Sequence, residues 1–253
     1  MINDSFDTSK PLFTSKDNFE SHGIKPIEKK TNTCIVTYSE DVKKEILSKY
    51  ENEIACFTAT ANNIINVYYL KELNVLFYMS PVCAPAAACI LDEVAYVSGA
   101  KNFIFFGSCG ILINDAKDKV IIPTKAYRDE GTSYHYLKAS DFIDIKNHNL
   151  IEEVCKNNNI HYIKGYTWTT DAIYRETINN LNKRRETGCI SVEMEISALQ
   201  AVSDYLGLNL YTFLLSGDIL ADEWNRDDLC TEKEKCKQLS SFEVAILISK
   251  KIK

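Results

Sequence analysis

Apolar positions along the chain fall into two alternating rhythms. Short runs of β-branched and aromatic residues at 34–38, 54–60, 75–79, 103–107, 120–122, 162–167 and 210–215 have the length and composition of strands. Between them lie longer stretches in which apolar residues recur every three or four positions, predicting helices over 41–49, 62–72, 85–98, 147–157, 193–206 and 235–250. Gly99 and Gly207 stand just past two of these helices, where the backbone turns left-handed and glycine does so without strain. Strands alternating with helices predict a single α/β domain, with a mostly parallel or mixed central sheet covered by helices on both faces.

The first 30 residues break this rhythm. They are polar, carry Pro11 and Pro26, and read as an N-terminal arm (1–30) that docks on a partner subunit, with 31–253 as the one folded domain. No internal repeat, low-complexity tract or linker interrupts that domain. No apolar run approaches the roughly 20 residues that span a bilayer, so no membrane partner is expected. Residues 1–10 are polar and acidic, without the apolar stretch of a secretion signal, and the expected location is cytoplasmic.

Composition narrows the class further. Hydrophobic residues make up 45% of the 253 and charged residues 25%, which is globular composition with material for a large core. A formal charge of −6 argues against a nucleic-acid partner, because phosphate backbones select basic faces, yet it leaves room for one phosphate in a local pocket. The nine cysteines include no Cys-x-x-Cys pair, several stand in apolar runs, and their number is odd. They read as buried free thiols of a reducing compartment, and without Cys/His pairs at zinc-ligand spacing no metal is expected.

In sheets of this kind ligands bind at the carboxyl ends of strands, so motifs at those points carry the most weight. Phe105-Phe106-Gly107-Ser108-Cys109-Gly110 follows directly on an apolar run. Two glycines around a small hydroxyl let the backbone approach an anion or a sugar hydroxyl, or simply make a tight turn ending a buried strand. Val192-Glu193-Met194-Glu195 opens a predicted helix, where two carboxylates two residues apart need not share a face. One can turn inward to accept hydrogen bonds from vicinal hydroxyls while the other meets the helix dipole; the plain alternative is an acidic first turn. Leu214-Leu215-Ser216-Gly217-Asp218 is an apolar strand ending in an acid that either protonates a leaving group or caps the next helix.

Together these segments resemble the nucleoside phosphorylase family that includes bacterial purine nucleoside phosphorylase and uridine phosphorylase. Val192–Glu195 is similar to its ribose-binding signature and Gly107–Gly110 to its glycine-rich phosphate and ribose turn. The 23 residues from Glu195 to Asp218 equal the spacing to the catalytic aspartate of the purine enzymes. The likeness covers roughly residues 30–250. It implies cleavage of the N-glycosidic bond of a nucleoside, most readily a purine nucleoside, with phosphate as co-substrate, no cofactor, and a homo-oligomer (dimer or hexamer). Carried over, Glu195, Met194 and Glu193 would hold the ribose, and Gly107, Ser108 and Arg128 the phosphate. Ile173, Tyr174 and Val192 would contact the base, and Asp218, helped by Arg226, would protonate it. His22 of the arm would reach a neighbouring subunit's site.

The sequence departs from the family at the anion site. Its five arginines, Arg128, Arg175, Arg184, Arg185 and Arg226, all lie in the second half. Family phosphorylases carry a phosphate-binding arginine two residues before the glycine turn, where this chain has Phe105. Their Gly-Asp-Pro loop is replaced by Thr37-Tyr38-Ser39-Glu40-Asp41. Three readings stay open: a phosphorylase that holds phosphate with other groups, a nucleosidase that uses water, and a nucleoside binder without turnover.

Overall fold

Strands that are apolar at every position need cover on both faces, and the structure supplies it. The computed structural model describes residues 4–59, 64–221, 223–226 and 231–252. Its first half contains α1 (Ser15–Ser21), β1 (Thr33–Thr37), α2 (Glu40–Lys49), β2 (Asn52–Phe57), β3 (Asn66–Leu70), β4 (Val75–Met79), α3 (Ala84–Ser98) and β5 (Asn102–Ile111). The second half adds β6 (Val120–Asp129), α4 (Ser133–Tyr136), β7 (Phe142–Asp144), α5 (His148–Asn157), β8 (Tyr162–Thr170), α6 (Ile178–Glu186), β9 (Cys189–Glu193), α7 (Ile196–Leu206), β10 (Asn209–Ile219) and α8 (Glu232–Lys251). Successive side chains of β5 go to opposite sides. Ile104 and Phe106 join Ile35, Phe213 and Phe242 in one core layer, while Phe103 and Phe105 join Val36, Tyr78, Leu91 and Leu199 in the other.

The sheet is mixed. Its order is β2-β3-β4-β1-β5, after which β5 pairs with both β10 and β9. Because β10 pairs β6, β6 pairs β8 and β8 pairs β9, the second half of the sheet closes into a ring. Closure brings the ends of β1, β5, β9 and β10 around one spot. The β5–β10 ladder also slips between Ser216 and Ile219, so Gly217 and Asp218 lie in a bulge. Such bulges re-aim a side chain out of the ladder.

Helix boundaries follow local chemistry. Gly99 (φ 69°) and Gly207 (φ 64°) are the left-handed C-caps of α3 and α7, and Pro85 stands in the first turn of α3. The N-terminal segment lies on α3: Phe19 is buried with its ring centroid 5.6 Å from that of Tyr96, and the Ile27 amide donates to Val97 O at 2.9 Å.

Three expectations give way. The helix expected over 62–72 is replaced by β3, paired antiparallel with β2 and β4; positions 62 and 63 lie outside the described residues. Asn74 at φ 53° closes the β3–β4 hairpin, and Val67-Tyr68-Tyr69 fits a pleated surface better than a helix. The helix expected from 193 begins at Ile196, because Glu193 completes β9. The strand expected over 54–60 starts at Asn52 and ends at Phe57, and Thr60 lies outside the described residues. Among the described residues no helix is long and apolar enough to cross a membrane.

Candidate active site

The ends of β1, β5, β9 and β10 enclose a cavity of about 290 Å³. That is at the lower limit of the ~300–1,000 Å³ usual for small-molecule sites, so it suits one compact ligand. The segment 107–110 is not a turn: β5 stays extended through it to Ile111. Its glycines are there for space. A Cβ on Gly107 would stand 2.8 Å from Cδ2 of Tyr38, and one on Gly110 would collide with Leu220 Cδ1, lie 2.9 Å from Val192 Cγ1 and 3.3 Å from Asp218 Oδ1. Ser108 lines the cavity between them.

The two glutamates after β9 divide as their spacing allows. Glu193 turns to the start of α7, where one carboxylate oxygen accepts the amides of Glu195 and Ile196, both at 2.7 Å. Its other oxygen accepts the hydroxyls of Thr169 at 2.6 Å and Thr167 at 3.3 Å. Four donors engage both oxygens, so Glu193 fastens the 193–196 corner and has little capacity left for a sugar. Burial raises its pKa to about 7 against the pull of those hydrogen bonds. Glu195 faces the other way, into the cavity, and its carboxylate accepts the Cys83 amide at 2.7 Å. Burial, and then the Glu193 charge, push the Glu195 carboxyl up to about 8. Cys83 itself holds φ 83°, a conformation that costs a non-glycine residue energy and that aims its N–H at Glu195.

At the opposite end the β10 bulge presents Asp218. One oxygen accepts the indole N–H of Trp224 at 2.9 Å, and the other lies over Gly110. Val192 approaches Gly110 from beside it, and Ile173 and Glu176 line the same cavity. Burial, followed by the Asp218 charge, raises the Glu176 carboxyl to about 7.

Of the residues singled out from sequence, the cavity gathers Gly107, Ser108, Ile173, Val192, Glu193, Met194, Glu195 and Asp218. Three lie elsewhere. Arg128 is 3% exposed, and its guanidinium donates to Ser133 Oγ and Lys138 O at 2.8 Å, to Ser140 Oγ at 2.9 Å and to Leu137 O at 3.3 Å. Stacked 4.1 Å from the Tyr134 ring centre as well, it ties down the loop after β6 and does not line the cavity. Tyr174 is 96% exposed and outside the cavity lining, because the short 3-10 turn Ile173–Arg175 directs only its first residue inward. Arg226 lines a neighbouring hollow with Trp224 and Asn114, and Trp224 is the residue that engages Asp218.

The cavity also holds residues the sequence did not single out. Tyr38 and Ser39 arrive from the end of β1, a position where the strand-end rule points. The Tyr38 ring packs 6.2 Å from that of Phe105 and covers Gly107. Among the described residues, no lysine or arginine lines the cavity, while Glu176, Glu193, Glu195 and Asp218 all do.

Comparison with known proteins places this architecture. The profile of the Phosphorylase superfamily matches residues 32–250. A DeoD-type purine nucleoside phosphorylase of Aliivibrio fischeri is 31% identical over 124 residues, 47% of this chain and 52% of the relative, so that match spans only about half its length. The DeoD-type enzyme of Bacillus cereus is 25% identical over 179 residues, 69% of this chain and 76% of the relative. Among solved structures, a futalosine hydrolase mutant of Helicobacter pylori superposes with a TM-score of 0.69 at 16% identity, covering 88% of this chain and 100% of that one. The ring-closed mixed sheet is therefore a fold shared with a hydrolase, and the chain belongs to the phosphorylase superfamily.

Proposed function

We propose that this protein cleaves the N-glycosidic bond of a nucleoside with water as the nucleophile, releasing a free base and a free sugar. The observation that carries this reading is the cavity lining: the Tyr38 ring, packed against Phe105, stands over Gly107, where the family resemblance puts phosphate, and the charged residues of the lining among the described residues are four carboxylic acids with no cation. At an effective dielectric near 20, two like unit charges about 5 Å apart repel by roughly 3 kcal/mol, so a phosphate dianion meets a barrier that water does not. The partial neutralisation of Glu193 and Glu195 lessens that repulsion without replacing the missing cation.

In this reading Glu195 holds the ribose hydroxyls and Met194 packs on the sugar. Ile173 and Val192 flank the base, and Asp218 gives a proton to the base nitrogen as the C–N bond breaks and its electron pair returns to the ring. The sugar passes through an oxocarbenium-like state. Water, held by the Ser108 and Tyr38 hydroxyls, adds to the anomeric carbon and then sheds its proton to solvent, from which the Asp218 carboxylate left by the first step is reprotonated. An electrophile of that reactivity does not need a strong base, only an aligned nucleophile. The fold neighbour's name, a hydrolase, agrees with this chemistry.

Phosphorolysis is the second reading, favoured by the Gly107–Gly110 segment and by the names of the sequence relatives. Reaction in ¹⁸O-labelled water separates them. Hydrolysis puts the label on the anomeric carbon of the released sugar; an unlabelled sugar 1-phosphate, formed only with phosphate present, overturns the proposal.

A further inference from the structure

Asp218 and Glu176 line the same cavity as Ile173, and they differ in one respect. Asp218 already receives the Trp224 indole N–H, whereas no donor engages the Glu176 carboxyl among the described residues. Glu176 reaches this place through the 3-10 turn Ile173–Arg175, which carries Ile173 to the cavity wall and delivers the glutamate after it. Both carboxyls belong to the wall of one cavity, and they lie near enough for the Asp218 charge to act on Glu176. Apolar Ile173, Val192 and Leu220 line the same cavity, and with Glu193 committed to the start of α7 and Glu195 to the Cys83 amide, Glu176 and Asp218 are the other two acids of its lining among the described residues.

We infer that Glu176 is the specificity-determining residue for the base, accepting a hydrogen bond from an exocyclic amino group, and that the substrate class is therefore the 6-aminopurine nucleosides. This rests on the reading of Asp218 as the group facing the base. The chemistry is one of edge matching. A purine presents its N7 and its 6-substituent on the same side, so an acid serving N7 leaves the neighbouring carboxyl opposite the 6-position. An amino group there offers the donor Glu176 lacks; an oxo group would set an acceptor against an acceptor, leaving both unsatisfied in a partly buried site. A carboxylate bonded to N–H is also a charge-assisted pair, stronger than a neutral one.

The test uses free bases, so that it does not depend on turnover. Binding of adenine and of hypoxanthine is measured by calorimetry near pH 8, for the wild-type chain and for Glu176→Gln. The expected result is a preference of at least about tenfold for adenine that falls to within about threefold in the variant, because glutamine satisfies either 6-substituent. A preference that survives in Glu176→Gln overturns the assignment to this residue. Equal or tighter binding of hypoxanthine by the wild type, or binding of neither base, overturns the substrate class directly. Tight, selective adenine binding by a chain that releases no base would instead sink the hydrolytic reading and leave this one standing.

Discussion

Asp218 owes its position to its neighbours more than to its place in sequence. The bulge between Ser216 and Ile219 turns it out of the ladder, Trp224 holds one oxygen, and the bare backbone of Gly110 leaves room for the other. Replacing it by asparagine keeps the shape and removes the acid, so Asp218→Asn should lower kcat by ~10²–10⁴-fold while base binding stays within a few-fold. Steady-state kinetics and calorimetry check this, and an unchanged kcat would remove Asp218 from the mechanism. Gly110→Ala is the complementary probe. Its Cβ meets Leu220, Val192 and the Asp218 carboxylate, so both kcat and ligand affinity should fall although no functional side chain is deleted. Asp218 and Glu195 were legible from the chain because Asp218 ends an apolar run, Glu195 closes a recognisable Val-Glu-Met-Glu motif, and the two stand at the family spacing. Glu176 was not: its place depends on how an irregular turn folds, which no periodicity encodes.

Among the elements, the corner between β9 and α7 does the most for the site. Glu193 accepts two amides of the 193–196 corner and two threonine hydroxyls from β8, joining strand, helix and neighbouring strand at one carboxylate. Glu193→Ala should cost about 2–4 kcal/mol of stability, since it strips buried donors of their acceptor, and should also raise KM by loosening Glu195. Chemical denaturation measures the first and kinetics the second; a variant as stable as wild type would show that the corner is held by packing alone. The same corner explains a misplaced boundary. Glutamate, methionine and glutamate before an apolar run resemble a helix start, but the carboxylate caps from inside the preceding strand, and the helix waits until Ile196. The β3 hairpin misled in another way: Ile64, Val67, Tyr68 and Leu70 satisfy a helical spacing, and only pairing with β2 and β4 decides for a strand.

At the scale of the whole molecule, the ring-closed sheet concentrates acids that burial keeps partly protonated. Glu176 and Glu193 are raised to about 7 and Glu195 to about 8, against an ordinary 4.5. Each folded carboxyl binds its proton more tightly than the unfolded one, so the stability these groups contribute is complete below pH 4.5 and declines as pH rises through 7 to 8. Thermal unfolding should accordingly show a midpoint that falls between pH 6 and pH 9, and Glu195→Gln should flatten that decline. A midpoint that rises over the same interval would mean that these acids are ionised in the folded chain. The α/β class and its helix-covered sheet could be read from alternation alone. The closure of β5, β10, β6, β8 and β9 into a ring could not, because it depends on pairings between strands far apart in the chain.

The central claim is that water, and not phosphate, attacks the sugar. The most direct measurement incubates the purified protein with adenosine, inosine, uridine and methylthioadenosine, with and without phosphate, and follows free base and sugar by chromatography. Base release at the same rate in both conditions, with free sugar as the second product, is the predicted result. Release that requires phosphate and yields sugar 1-phosphate would contradict it, and would mean that the Tyr38 ring moves aside to admit the anion.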